Sequence, residues 1–156
     1  MPTIRLFRPC DAAALAEIFH RAVHEIASAQ YSADQCAAWS PAPGPAESWA
    51  RHAADGRMVF VACDAQDKPL GFIELEADGH IDCFYCHPEV AGTGVGAALY
   101  AALEAEARTR GLTRLYMEAS EPARRFFGKA GFSVLRQREF ERRGVQLYNF
   151  AMEKPL

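Results

Sequence analysis

The stretch from Ile81 to Ala119 limits the fold more than any other. "IDCFYC" reads as a strand, and its Ile, Phe and Tyr suit a pleated surface. A glycine-rich loop follows, and then a helix from about Gly94 to Arg110. Val95, Leu99 and Leu103 line one face of that helix, and Gly111 stands where a helix stops. "LTRLYMEAS" is the next strand. Two strands joined through a helix run parallel if they share a sheet, and the crossover is right-handed. The chain before this unit reads differently. "MVFVAC", "LGFIELEA" and "IDCFYC" are linked by the short turns "DAQDKP" and "DGH", which makes an antiparallel meander.

The flanking segments complete the pattern. Ile4 to Pro9 reads as a strand. Asp11 is placed to cap a helix through about Ala29, whose apolar face carries Leu15, Ile18, Phe19, Val23 and Ile26. Ser32 opens a short helix, "SPAPGP" is a loop, and a further helix spans about Ala46 to Ala54. After the fifth strand, "EPARRFFGKAG" is a helix with Pro122 in its first turn. The chain closes in a hairpin around Arg143-Gly144. The expected fold class is α+β: a mixed, mainly antiparallel sheet of six to seven strands with helices on both faces. At 156 residues a single domain, 1–156, is expected.

A net charge of −3 argues against broad nucleic-acid binding, which depends on Lys and Arg neutralising phosphates. Arg5, Arg8 and Asp11 interrupt the apolar residues at the start, so no export signal is read there. No stretch approaches the 18 or so apolar residues of a membrane span. A cytoplasmic protein without membrane partners is expected.

Cys83-x-x-Cys86-His87 matches the haem-attachment spacing, and its Cys-x-x-Cys pair could suggest zinc. Haem attached in this way belongs to exported chains. The other cysteines (Cys10, Cys36 and Cys63) supply no second pair for a four-ligand zinc site. Residues three apart on a strand also point to opposite faces. Neither haem nor metal is expected, and the cysteines read as small buried hydrophobes.

"GTGVG", Gly92 to Gly96, sits between strand and helix. The first turn of a helix carries unpaired N–H groups and the positive end of its dipole, a setting for phosphate. Gly94 and Gly96 each cost helix propensity of about 1 kcal/mol relative to Ala, so their presence there points to function. Gly92-x-Gly94-x-x-Ala97 also fits a loose dinucleotide fingerprint, with Glu118 at the end of the next strand. Two points weaken that alternative. "HPEVA" separates the glycines from their strand, and the preceding meander is not a doubly wound sheet.

The segment "IDCFYCHPEVAGTGVGAALYAALEAEA" resembles the acetyl-CoA binding segment of the GNAT N-acetyltransferase superfamily. "EASEPARRFFGKAGFSV", "IRLFRPCDAAALAEIF" and "GVQLYNFAMEK" fit the same family. The resemblance implies a sheet splayed between strands four and five, with the pantetheine arm of acetyl-CoA in the gap. It implies a cofactor-binding set of Phe84, Tyr85, Cys86, Ala91, Gly92, Thr93, Gly94, Val95, Gly96, Ala97, Ser120 and Phe127. The N–H of Cys86 would stabilise the oxyanion. Two positions depart from the family pattern. Ala91 replaces the usual Gln or Arg. Phe127 replaces a tyrosine that commonly protonates the departing thiolate, and phenylalanine cannot donate a proton.

The implied reaction is attack by a primary amine of a small molecule or peptide on acetyl-CoA in a ternary complex. Such an amine must lose its proton first, so a base is useful. Strand alternation places Asp82 and His80 on the face of Phe84 and Cys86, which makes Asp82 the first candidate and His80 the second. Glu74 and Glu76 have weaker support. Tyr148, Tyr31 or water could supply the acid. Phe19, His24, Tyr31, Trp39 and Trp49 are candidate acceptor-site residues, because the first helices usually cover that site in the family. A CoA-binding module without chemistry and a nicotinamide-dependent oxidoreductase are the alternatives. Oligomeric state is open, a homodimer included.

Overall fold

The structure, a computed structural model, describes residues 2–156. In chain order its elements are β1 (Thr3–Leu6), α1 (Ala12–Glu25), α2 (Ala33–Trp39), α3 (Ala46–Ala53), β2 (Met58–Cys63), β3 (Pro69–Leu75), β4 (Ile81–Cys86), α4 (Val95–Thr109), β5 (Arg114–Ala119), α5 (Glu121–Lys129), β6 (Ser133–Arg142) and β7 (Val145–Pro155). The α+β class follows directly from the meander and the two helical connections.

The first four strands form one antiparallel sheet in the order β1-β2-β3-β4, and the last three form another in the order β5-β7-β6. The parallel pair expected from the strand–helix–strand unit shrinks to one bridge, His80 against Tyr116, with Tyr116 N–H donating to Gly79 O at 3.1 Å. Beyond that bridge β4 and β5 diverge. Gly79 makes the junction possible: its φ is +98°, and a Cβ there would lie 2.3 Å from the carbonyl oxygen of Arg114.

Strand alternation sorts the core onto two sides. Phe60, Ile73 and Leu75 face Leu99 and Leu103 of α4, and Leu115, Met117 and Met152 join the same cluster. Val59, Val61 and Phe72 face the other way, onto Leu15 and Ile18 of α1. Leu99 and Leu103 are fully buried, each worth roughly 2 kcal/mol by area removed from water.

Several local expectations change in detail. The first long helix ends at Glu25 and passes into a 3-10 turn at Ala27–Ala29. Asp11 does not cap it. Its carboxylate accepts from both terminal nitrogens of Arg5, at 2.8 and 2.9 Å, and from the Arg8 amide at 2.8 Å. A buried carboxylate is better satisfied by a guanidinium than by a helix end. Ser32 and Ser120 do cap: the Ser32 hydroxyl accepts from Gln35 N–H at 3.1 Å, and the Ser120 hydroxyl from Ala123 N–H at 3.5 Å. The closing hairpin turns on Arg143 and Gly144, both with positive φ (+50° and +76°).

Candidate active site

The divergence of β4 from β5 leaves backbone groups of β4 without a partner strand. His87 N–H donates to Leu70 O at 2.7 Å, and Gly71 pairs with Cys86, Phe72 with Tyr85 and Ile73 with Phe84. Bonded and non-bonded pairs alternate along an antiparallel ladder. The peptide groups of Phe84 and Cys86 therefore turn away from β3 and into the splay.

A cleft of about 290 Å³ occupies that splay. Phe84, Tyr85 and Cys86 form one wall, and Ser120, Pro122, Ala123 and Phe126 form the other. Ala91, Gly92, Gly94, Gly96 and Ala97 close one end, and Val90, Trp39 and residues of α1 and the turn after it line the rest. At the loop, Gly92 and Gly94 have φ of +76° and +94°, and a Cβ on either would meet nothing within 4 Å. The amides of Gly92, Gly94, Val95, Gly96 and Ala97 have no acceptor among the described residues, so they are free for an anion. Gly96 is small for another reason. A Cβ there would come within 3.0 Å of the Phe84 ring.

Not every residue expected at this cleft lines it. Val95 is buried in the core under α4, and Thr93 is exposed, its hydroxyl turned back to Val90 O at 2.5 Å. Phe127 is 1% exposed and packs among Phe84, Tyr100, Phe126 and Phe132. Its neighbour Phe126 faces the cleft instead. On a helix adjacent residues point about 100° apart, and sequence similarity alone did not single out Phe126.

A second, more polar cleft of about 570 Å³ opens on the other face of β4 and shares Trp39 and Tyr85 with the first. Phe19, Trp39 and Trp49 line it, together with Asp82 and Cys83. His24 and Tyr31 do not. The His24 Nε2 lies 2.7 Å from Ser40 O. The buried Tyr31 donates to Tyr148 O at 2.9 Å and accepts from Glu121 N–H at 3.2 Å. Tyr148 stacks on Tyr31 with ring centroids 4.9 Å apart and lines neither cleft.

The placement of Asp82 corrects the sequence reading. Ile73 pairs with Phe84 but Leu75 pairs with Ile81, so Asp82 and Cys83 together oppose the single residue Glu74. This β-bulge reverses the alternation. Ile81, Phe84 and Cys86 face α4, whereas Cys83 and Tyr85 pack toward α1. Asp82 turns with the latter into the second cleft, away from the face of Phe84 and Cys86. Cys83 and Cys86 accordingly lie on opposite faces. Burial pushes the Cys86 thiol up to about 12 and Cys83 upward as well, so neither is a thiolate nucleophile at neutral pH.

Around Asp82 the structure assembles a charged quartet that includes two residues the sequence gave no signal for, His52 and Arg57. His52 Nε2 lies 2.7 Å from Glu74 Oε1 and 3.2 Å from Asp82 Oδ2, and Arg57 Nη1 reaches the same oxygens at 2.7 and 2.5 Å. Arg57 is further fixed by Asp55 at 2.7 Å. The two nitrogens stand 2.6 Å apart because they share those acceptors. A protonated His52 cannot also accept from Arg57, so that approach is crowding between donors. The hydrogen bonds to Asp82 and then Glu74 push His52 up to about 9. In return His52 and Arg57 hold Asp82 well below the usual carboxylate range, against the opposing effect of burial. His52, Glu74, Asp82 and Cys83 place ligand-type atoms within 4.8 Å of one another. Arg57 already serves as the counter-cation between the two carboxylates.

His80 stands at the junction of the sheets. Its Nδ1 is 2.6 Å from Glu76 Oε1 and its Nε2 is 2.9 Å from Glu118 Oε1. Glu118 and then Glu76 push it up to about 9, against burial.

Comparison with known proteins agrees with this geometry. The family model described as "Acetyltransferase (GNAT) domain" matches residues 27–154. The chain belongs to the GNAT acetyltransferase family. It is 33% identical over 149 residues to the uncharacterized N-acetyltransferase YafP of Escherichia coli, covering 96% of this chain and 93% of that one. It is 31% identical over 127 residues to an aminoglycoside N(6')-acetyltransferase type 1 of Stenotrophomonas maltophilia, covering 73% and 72%. A crystal structure of a GCN5-related N-acetyltransferase from Rhodopseudomonas palustris superposes with a TM-score of 0.91 at 34% identity, over all of this chain and 96% of that one. The GNAT assignment removes the dinucleotide alternative. The loop glycines open α4 after an antiparallel meander, and no doubly wound parallel sheet is present among the described residues.

Proposed function

We propose that this GNAT chain transfers acetyl from acetyl-CoA to a primary amine by direct attack in a ternary complex. The observation that carries the reading is the free inner edge of β4, which joins the two clefts. On one side its unpaired peptide groups at Phe84 and Cys86 can pair with a pantetheine arm, and the amides of Gly92, Gly94, Val95, Gly96 and Ala97 can take the pyrophosphate. On the other side Asp82 opens into the polar cleft, so an amine there approaches a thioester lying along Cys86.

The amine nitrogen attacks the thioester carbonyl, forming the C–N bond. The Cys86 N–H would stabilise the oxyanion. The C–S bond then breaks and its electron pair leaves on sulfur. No tyrosine hydroxyl lines the first cleft except at the shared Tyr85, and a thiol pKa near 8.5 makes the thiolate a tolerable leaving group; the proton that the attacking nitrogen sheds as the amide forms passes through water to the sulfur.

Deprotonation of the amine falls to the Asp82–His52 pair. Alone, Asp82 is a weak base because two cations hold its charge. With His52 protonated, the quartet of His52, Arg57, Glu74 and Asp82 carries two positive and two negative charges. Loss of the His52 proton leaves it net negative and able to accept one. A group near 9 is well matched to a lysine-like amine of about 10.4.

Release of free thiol from acetyl-CoA, measured across an amine panel, tests the reading. Turnover above hydrolysis with any acceptor supports it. Tight CoA binding with no turnover across the panel would make the chain a binding module.

A further inference from the structure

We infer that the amine acceptor carries a second, anionic group, such as a carboxylate, which Arg138 and Arg142 of β6 recognise. The inference rests on the acetyl-transfer reading above and deepens it by naming the acceptor class.

What carries it is a pair of guanidiniums left without an ion-pair partner among the described residues. Five charged side chains line the acceptor cleft: His52, Asp82, Glu118, Arg138 and Arg142. Both carboxylates already have cation partners, which they share with Asp55, Glu74 and Glu76. Asp82 is held by His52 and Arg57, and Glu118 by His80. The guanidiniums are not so held. Arg138 donates to the neutral Asn149 Oδ1 at 3.1 Å and lies 5.8 Å from the Phe140 ring centroid, and Arg142 lies at the same distance from that ring. Neither has a carboxylate within 4.0 Å among the described residues, although Glu118 is close enough to feel the charge of Arg138. Two guanidiniums with no carboxylate partner, facing a cluster whose carboxylates are already held by His52 and Arg57, offer donors to an anion and repel a polycation.

The register of β6 makes this a built arrangement. Arg138 pairs with Asn149 and Arg142 with Val145. Their even spacing with Phe140 puts all three on one face of the strand, toward the cleft. The aromatic ring separates the guanidiniums and gives each an apolar surface to lie against. A guanidinium presents parallel N–H donors that fit a carboxylate in a way an ammonium does not. The acceptor thus meets acid-binding groups on β6 and proton-accepting groups on β4. An amino acid, or a molecule that places an amine and a carboxylate a few bonds apart, matches both.

Trp39 and Trp49, the chain's only two tryptophans, both line this cleft, so intrinsic fluorescence reports its occupancy without any chemistry. The test titrates the protein, free of acetyl-CoA, with matched primary amines that differ only in bearing a carboxylate, and with an aminoglycoside. Wild type should bind the acid-bearing amines at least about tenfold more tightly than their neutral partners. Arg142→Gln and Arg138→Gln should each remove most of that preference while leaving the fluorescence of the free protein unchanged. Equal binding of both members of each pair, tighter binding of the aminoglycoside, or no response to any acid-bearing amine at millimolar concentration would each overturn the inference. Thiol release is measured in parallel. Its failure with a discriminating fluorescence response would sink the acetyl-transfer reading and leave anion recognition standing.

Discussion

His52 Nε2 lies 3.2 Å from Asp82 Oδ2, and the two residues arrive there from unrelated parts of the chain, a short helix and a bulged strand. The contact makes the charge state of one the switch for the other. Acetyl transfer should therefore rise by about tenfold per pH unit below the His52 pKa and break near 9. His52→Asn should remove the break. Asp82→Asn should lower kcat by about a hundredfold or more at every pH. A profile that keeps its break near 9 in the His52 variant would assign the titration elsewhere.

Gly94 and Gly96 test two different physical demands on one loop. At Gly94 the φ of +94° is the constraint and space is open, so Gly94→Val strains the backbone and shifts the free amides. KM for acetyl-CoA should rise at least about tenfold, with KM for the amine little changed. At Gly96 the Phe84 ring is in the way, so Gly96→Ala should lower Tm as well as acyl-donor affinity. Steady-state kinetics and thermal melts of both variants separate the two causes. Normal acetyl-CoA kinetics in both would remove the loop from the site.

The legible part of this protein was periodic. Strand alternation, helix spacing and turn glycines placed the elements to within a few residues, and "GTGVG" marked the loop that closes one end of the cleft. Asp82 was placed on the wrong face because the bulge opposite Glu74 adds a residue that no local pattern announces. Charge pairing was also hidden. His52 and Glu74 are 22 positions apart by number and join only when α3 packs beside the sheet. Phe126 and Phe127 could not be told apart by type, since two adjacent phenylalanines on a helix differ only in which one the tertiary structure buries.

Phe127 also makes the missing tyrosine testable. Its ring is surrounded by Phe84, Tyr100, Phe126 and Phe132, and it is 1% exposed. Phe127→Tyr would bury a hydroxyl among aromatic rings, at a cost of about 1–3 kcal/mol if it finds no partner. We expect a lower Tm and no gain in kcat. A variant as stable as wild type with faster turnover would show that the hydroxyl reaches the leaving sulfur after all.

The two histidines with raised pKa values set the alkaline limit of stability. His80 and His52 are pushed from 6.5 to about 9 by the carboxylates of Glu118 and Glu76 and of Asp82 and Glu74. A folded-state pKa above the unfolded value means that the folded state binds the proton more tightly between those two points. The stabilisation is complete below about 6.5 and disappears as pH rises through 9. Tm should therefore fall across that window. His80 is the cleaner probe, because its side chain is more buried than that of His52. His80→Gln keeps a hydrogen-bonding group at the sheet junction but cannot hold the charge, so its Tm should be lower than wild type at pH 6 and converge on it by pH 10. A constant gap between the two melting curves across the range would show that His80 contributes packing and hydrogen bonding but no linked proton.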